Sequence, residues 1–367
     1  MKYFIIFFLF LSIIFQSCVK TPVDSSPHEL LQAETGDVIV LCEGLQGYDN
    51  SALTLIKSNS GVVLEEYFKQ SNSGDYLGDT ANDILITGDT ALIALSTSST
   101  IRSLRVSTGA KISDIKLPEN CTPRKITAIN DNEFCVTCLL RSSIFFFSLD
   151  DTSNRYEVPV GPQPEGITYF NGNVFVANSA YGDFNYMHPD AETVSVVGAK
   201  SRSESRKIKA GTNTFEVLVN HETNRLYAVY YHLPSLDDST GGIYEYDLSN
   251  FNVVRKWSIR ARNVCFNRGK DSLFFISQQP KGSSMSEDSG IAVIDLNDGN
   301  SEMIINNTKR FDIWYGLAVS PYDDSIWICN SVNHVNKGKI LVYSHSDYIS
   351  PSRIFDVGLN PNKILFY

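Results

Sequence analysis

Redox, metal and acid–base chemistry in this chain would rest on its seven cysteines, six histidines and a few carboxylates. Cys42, Cys121, Cys135, Cys138, Cys265 and Cys329 are scattered along the sequence and do not cluster as in a small disulfide scaffold. Cys135-Val-Thr-Cys138 has CxxC spacing, but it lies in the strand-like run Phe134 to Leu140. Residues i and i+3 of a strand point to opposite faces. A shared metal or a redox disulfide is therefore not expected there, and the six are read as buried free thiols acting as small hydrophobes. The histidines are dispersed and no second CxxC follows, so no zinc site, metal or cofactor is predicted. Glu165, Asn82, Asp83 and Asp312 could supply oxygen ligands to a metal, and His232 or His334 an acid–base group. No Ser-centred nucleophile elbow appears.

Cys18 stands apart. Lys2 precedes an uncharged apolar run from Tyr3 to Phe15, followed by Gln16-Ser17-Cys18. That order describes a secretory signal peptide, and the run is shorter than the ~20 apolar residues of a membrane-spanning helix. Ser17-Cys18 resembles the end of a bacterial lipobox, with Phe15 where Leu usually stands. The expected organisation is a signal peptide over 1–17, a lipidated Cys18 with a polar, proline-containing tether over 18–35, and a folded domain over 36–367. A tether from Cys18 to Glu34 reaches at most roughly 60 Å, so the domain would work near an outer membrane, on its periplasmic or outer side. The formal net charge is −10 and no Lys/Arg block occurs, which argues against nucleic acid.

The elements that must position any site are strands. The chain has 18 Tyr and 21 Phe, which suits β structure, and shows no helix-period segment of any length. Hairpins with polar turns recur about every 40 to 50 residues: Ile84 to Leu95, Ile126 to Val136, Ile167 to Asn178, Val217 to Val229, Val264 to Ile276 and Leu317 to Cys329. Third strands follow at Ile101–Val106, Ser143–Leu149, Ile243–Asp247, Ile291–Asp295 and Ile340–Ser344. Fourth strands follow at Lys111–Lys116, Asn252–Trp257 and Ser352–Asp356. In the fourth repeat these strands fall around Thr193–Val197 and Ser205–Lys209. The chain enters mid-repeat at Val38–Cys42 and stops after a lone strand, Asn360 to Tyr367. That strand can complete the first repeat. The prediction is an all-β, seven-bladed β-propeller of four-stranded blades, its first blade closed by the C-terminal strand.

In such a ring the loops joining second and third strands share a face with the segments between blades. They are short in blades two and three, and long in blades four to seven and one. A raised wall with a gap is expected, rich in amides, hydroxyls and aromatics. The candidate ligand-binding residues are Tyr48, Asn50, Asp79, Asn82, Arg124, Glu165, Asn178, Tyr181, Tyr231, Gln278, Trp314, Tyr315 and Asn330. Asn213, Arg260, Arg262, Asp312 and Asn362 lie nearby. For Asn82, Asp83 and Asp312 the plainer role is capping backbone groups of the inner strands.

Phe175-Val-Ala-Asn178 and Trp327-Ile-Cys-Asn330 resemble the Tyr-Val-Thr-Asn strand motif of YncE-like propellers. Glu43-Gly44, Asn50-Ser-Ala-Leu53 and Gly61, then Leu77-Gly78-Asp79 with Asn82-Asp83-Ile84, resemble the YncE-like surface lipoproteins of Bacteroidetes. That group includes the cobalamin-binding BtuG proteins, partners of a TonB-dependent outer-membrane transporter. Cys42 stands where the group usually has Asn. The resemblance implies a seven-bladed fold and a membrane-anchored binding role, with a corrinoid or a glycan as ligand and a transporter as partner. It assigns no ligand residue. A protein–protein scaffold without a small ligand is the second reading, and a metal-dependent propeller lactonase or lyase the third.

Overall fold

Continuous apolar runs in the second and third strands of the blades explain the architecture. Successive strand side chains point to opposite faces, and here both faces are apolar, so each sheet must be covered on both sides. The computed structural model describes residues 32–151, 155–233, 241–277, 289–308 and 312–367. Cys18, the proposed signal peptide and most of the tether lie outside the described residues, as does Gln278. Among the described residues are seven four-stranded sheets, each with antiparallel neighbours. The innermost strands are Pro361–Phe366, Ala81–Thr87, Pro123–Ala128, Pro164–Phe170, Thr214–Asn220, Ala261–Phe266 and Trp314–Val319, for blades one to seven. The molecule is an all-β, seven-bladed propeller.

Seven hydrophobic clusters fill the seven interfaces between neighbouring blades. The second strand of blade two shows how. Ala91, Ile93 and Leu95 join the cluster shared with blade one, whereas Leu92 and Ala94 join the one shared with blade three. Tight turns connect the strands. At Asn171-Gly172 both residues have positive φ, +45° and +79°, which joins the two strands with the twist that suits them.

The ends close as the sequence predicts. Pro361–Phe366 pairs with Val38–Cys42, with Val40 opposite Ile364 and Ile39 opposite Leu365. This places the C-terminal strand innermost in a blade whose other three strands are N-terminal. The fourth-repeat strands are Thr193–Gly198 and Ser203–Lys209.

Two expectations need correction. Cys121 and Cys138 are not free thiols; they form a disulfide across 17 residues of sequence. The segment entering blade three runs beside the end of that blade's second strand, where Pro123 pairs with Cys138, so Cys121 comes within reach. Cys135 and Cys138 do face opposite ways, one into the blade three–four cluster and the other into the blade two–three cluster. Cys42, Cys135, Cys265 and Cys329 are free, and burial pushes the thiols of Cys42 and Cys265 up to about 12. The second correction is a short helix, Tyr67–Ser71. Tyr67 and Phe68 are buried there, and the Tyr67 hydroxyl donates to the Val106 carbonyl at 2.9 Å. Five residues are too few to show a helical period.

Candidate functional site

Every innermost strand carries an irregularity near its first residues, where one extra residue is inserted against the second strand. Such bulges re-aim side chains. The residues two positions before the first core residue of each inner strand are Asn82, Arg124, Glu165, Phe215, Arg262, Tyr315 and Asn362. All seven line a single cavity of about 500 Å³ at the mouth of the central channel. That volume is in the range of small-molecule sites. Tyr181, Asn213, Glu216, Tyr231, Trp314 and His334 also contribute to its wall.

Neighbouring inner strands belong to separate sheets, so side chains link them. Asn362 Nδ2 donates to the Ala81 carbonyl at 3.0 Å, from blade one to two. Asp83, 1 % exposed, accepts from the Ile126 amide at 2.9 Å and from Lys363. Although burial opposes its charge, Lys363 and Lys125 hold the Asp83 carboxyl below its usual range. Arg124 Nε contacts both oxygens of Glu165 at 2.9 Å, from blade three to four. Burial favours proton loss from Arg124, but Glu165 more than offsets it and raises the guanidinium above its usual value. Glu216 accepts from the Asn263 and Val264 amides at 2.7 and 3.0 Å, from blade five to six. Asn263 Nδ2 then donates to the Tyr315 carbonyl at 2.9 Å.

The two remaining junctions use glycine. A Cβ on Gly166 would meet Glu216 Cα and the Phe215 carbonyl at 2.8 Å, and one on Gly316 would meet the Asn362 carbonyl at 2.4 Å. Backbones approach too closely there for any side chain. Polar side chains thus tie five junctions of the channel, and close backbone approach marks the two between blades four and five and between blades seven and one, the latter bridged as well by Tyr315 and Glu43.

The aromatic part of the mouth is a stack. Phe215 and Tyr231 are nearly parallel, with ring centres 4.5 Å apart, and the Arg262 guanidinium carbon lies 4.5 Å from the Tyr231 ring centre. The Tyr231 hydroxyl donates to Glu216. Burial, then the Glu216 charge, push this phenol well above its usual range, so it remains a donor. Tyr315 donates to Glu43 Oε2 at 2.8 Å and meets the His334 ring edge-on at 5.3 Å. His334 Nδ1 lies 2.9 Å from Asn360 Oδ1.

The predicted residues separate by position. Asn82, Arg124, Glu165, Tyr181, Tyr231, Trp314 and Tyr315 line the cavity. Tyr48, Asn50, Asp79, Asn178 and Asn330 do not. Tyr48 is exposed on its loop. Asn50 Oδ1 accepts from the Leu45 amide at 2.7 Å, and Asp79 Oδ2 from the Gly47 amide at 2.8 Å, so both hold the Glu43–Asn50 loop. Asn178 is fully buried and donates to Thr193 and Ser195. Asn330 donates to Asp312 Oδ2 at 2.7 Å and accepts from the Val332 amide. Of the proposed metal ligands, Asp83 and Glu165 face lysine and arginine. No group of three His, Cys, Asp or Glu side chains with metal-binding geometry occurs among the described residues. Lys125, Phe215, Glu216 and Asn263 were not anticipated. Their signal was the recurring pair just before each inner-strand core residue, Ile84, Ile126, Ile167, Val217, Val264, Leu317 and Ile364.

These features define a seven-bladed β-propeller with a polar and aromatic channel mouth. No protein-family model and no curated protein matches the chain. Solved structures do. A quinonprotein alcohol dehydrogenase-like protein from Bacteroides thetaiotaomicron superposes with a TM-score of 0.68 at 11 % identity, covering 90 % of this chain and 78 % of that one. Kuenenia stuttgartiensis hydrazine synthase gives 0.60 at 15 % identity, covering 72 % and 76 %. The Neurospora crassa Pan2 WD40 domain gives 0.55 at 10 %, covering 78 % and 81 %. At such identities the likeness is one of fold, and a shared fold does not carry a shared function.

Proposed function

We propose that this chain is a non-catalytic binding propeller that captures a polar small molecule or a glycan at its channel mouth. The observation that carries this reading is the convergence of seven bulged inner-strand residues on one cavity, next to the Phe215–Tyr231–Arg262 stack. Aromatic area with directed polar groups is the usual chemistry of such sites. The carboxylates a hydrolytic or eliminating centre would use are instead engaged by protein donors.

The same proposal includes export and lipid anchoring through Cys18 to an outer membrane, as a YncE-like lipoprotein accessory to a TonB-dependent transporter. The Cys121–Cys138 disulfide supports export, because such bonds persist in oxidising compartments. Among the described residues no helix is long and apolar enough to cross a membrane. A lipid on Cys18 would supply the attachment. Replacing Cys18 with Ala is expected to move the protein from the membrane fraction to the soluble fraction.

The capture reading is tested by thermal shift of the purified full chain in detergent against corrinoids, neutral and charged oligosaccharides, and divalent ions. A ligand at a hundred times its Kd stabilises by about 2.7 kcal/mol, a rise of about 4 °C for a chain of this length. A panel in which nothing raises the melting temperature refutes capture and favours the protein–protein scaffold.

A further inference from the structure

The donors and acceptors of the channel mouth do not balance. Its carboxylates are used internally: Glu165 by Arg124, Glu216 by Tyr231 and two backbone amides, and Asp83 by Lys363 and the Ile126 amide. The cations are not used to the same extent. Arg124 engages Glu165 through Nε, and its two terminal nitrogens make no hydrogen bond among the described residues. Arg262 makes no ion pair or hydrogen bond among the described residues; its guanidinium touches the Tyr231 ring instead. Trp314 is 7 % exposed, and its buried indole N–H has no partner among the described residues. Among the described residues, the buried acceptors left unused on the cavity wall are neutral amide oxygens, those of Asn213 and Asn362.

An unpaired guanidinium presents a planar fork of N–H groups whose geometry matches an oxyanion. The whole chain has a formal net charge of −10, so its distant field repels anions and any attraction must be local to the mouth. Phe215 and Tyr315, in the same wall as these arginines, add apolar area on which a ring can lie.

We propose that the mouth takes an anionic, ring-bearing molecule, its oxyanion held by the guanidinium groups of Arg262 and Arg124 and its ring against Phe215 and Tyr315. This rests on the capture reading and narrows its ligand to carboxylated or phosphorylated sugars and compounds of similar chemistry.

The test is calorimetric titration of the purified full chain in detergent with trigalacturonic acid and with its uncharged methyl ester. A second arm uses glucose 1-phosphate and glucose. The charged member of at least one pair is expected to bind about tenfold more tightly or better, with affinity falling between ~20 mM and ~500 mM salt. The arm with the larger preference tells carboxylate from phosphate. Arg262→Gln, with an unchanged melting temperature, is expected to abolish the preference. Equal binding within both pairs overturns the proposal and leaves capture standing, as does failure of both charged probes when a neutral compound raises the melting temperature. A preference that survives in both Arg262→Gln and Arg124→Gln also overturns it. No binding here and no thermal shift in the wider panel removes both readings.

Discussion

Ile364 lies in the last strand of the chain, where fraying would be expected if the strand were not needed to close the ring. It is 5 % exposed, faces Val40 across the strand pair, and packs in the cluster between blades seven and one with Val342 and Phe355. Ile364→Ala removes three carbon atoms from a site that neighbouring strands prevent from collapsing. Such truncations cost about 2 to 5 kcal/mol, and about 3 is expected here. The melting entropy scales as about 2.1 cal/mol/K per residue, which is about 0.7 kcal/mol/K for the propeller. The melting temperature should therefore fall by about 4 °C. Ile349→Ala is the matched control: Ile349 is 94 % exposed, and its truncation should leave the melting temperature unchanged. Both variants can be followed by far-ultraviolet circular dichroism during heating. A fall below about 1 °C for Ile364→Ala would show that the C-terminal strand contributes little to closure, and the argument for a joined ring would fail.

Two further outcomes follow from the structure. Thiol titration of the denatured, unreduced chain is expected to leave Cys121 and Cys138 unlabelled, and replacing both with Ser should cost about 3 kcal/mol for a loop of this length; labelling at either position refutes the pairing. Burial opposes ionisation of Asp114, but hydrogen bonds from Arg102 and Lys111 outweigh it and lower its carboxyl from 3.8 to about 2. A depressed folded-state pKa contributes stability that is complete above the unfolded value and disappears as pH falls through the folded one, here between about 4 and 2. The Asp114→Asn variant should be less stable than the parent at neutral pH by about 2 kcal/mol, and the gap should close by pH ~2 in denaturant titrations.

Much of the scaffold was legible because its rules are local. Short runs of β-branched and aromatic residues, recurring about every 40 to 50 residues, marked a repeated unit of strands that fits a propeller blade. Asn, Asp and Gly at regular spacing marked the hairpin turns, such as Asn171-Gly172. The lone strand at Asn360 to Tyr367 and the partial repeat at Val38 could satisfy each other only by pairing. Those features determined a closed ring of seven blades.

The channel mouth was only partly legible, because its contacts join residues far apart in sequence. Arg124 and Glu165 are 41 positions apart, and Asn263 and Tyr315 are 52. Alternation assigns a side chain to a face, but a bulge shifts that assignment by one residue, and seven bulges do so around the channel. Asn178 and Asn330 looked like site residues by type, yet neither lines the cavity, and the side-chain amide groups of both donate to neighbours in or next to their own blades. Phe215 and Glu216 precede the hairpin read from the sequence at Val217 and carried no signal by type, yet they form part of the cavity wall. The sequence alone determined how many blades there are and how the ring closes, through patterns that repeat within each blade. Only the tertiary structure decided that Cys121 meets Cys138, because the segment entering blade three runs beside the end of that blade's second strand, and that Arg262 has no anionic partner among the described residues, because its neighbours at the channel come from other blades.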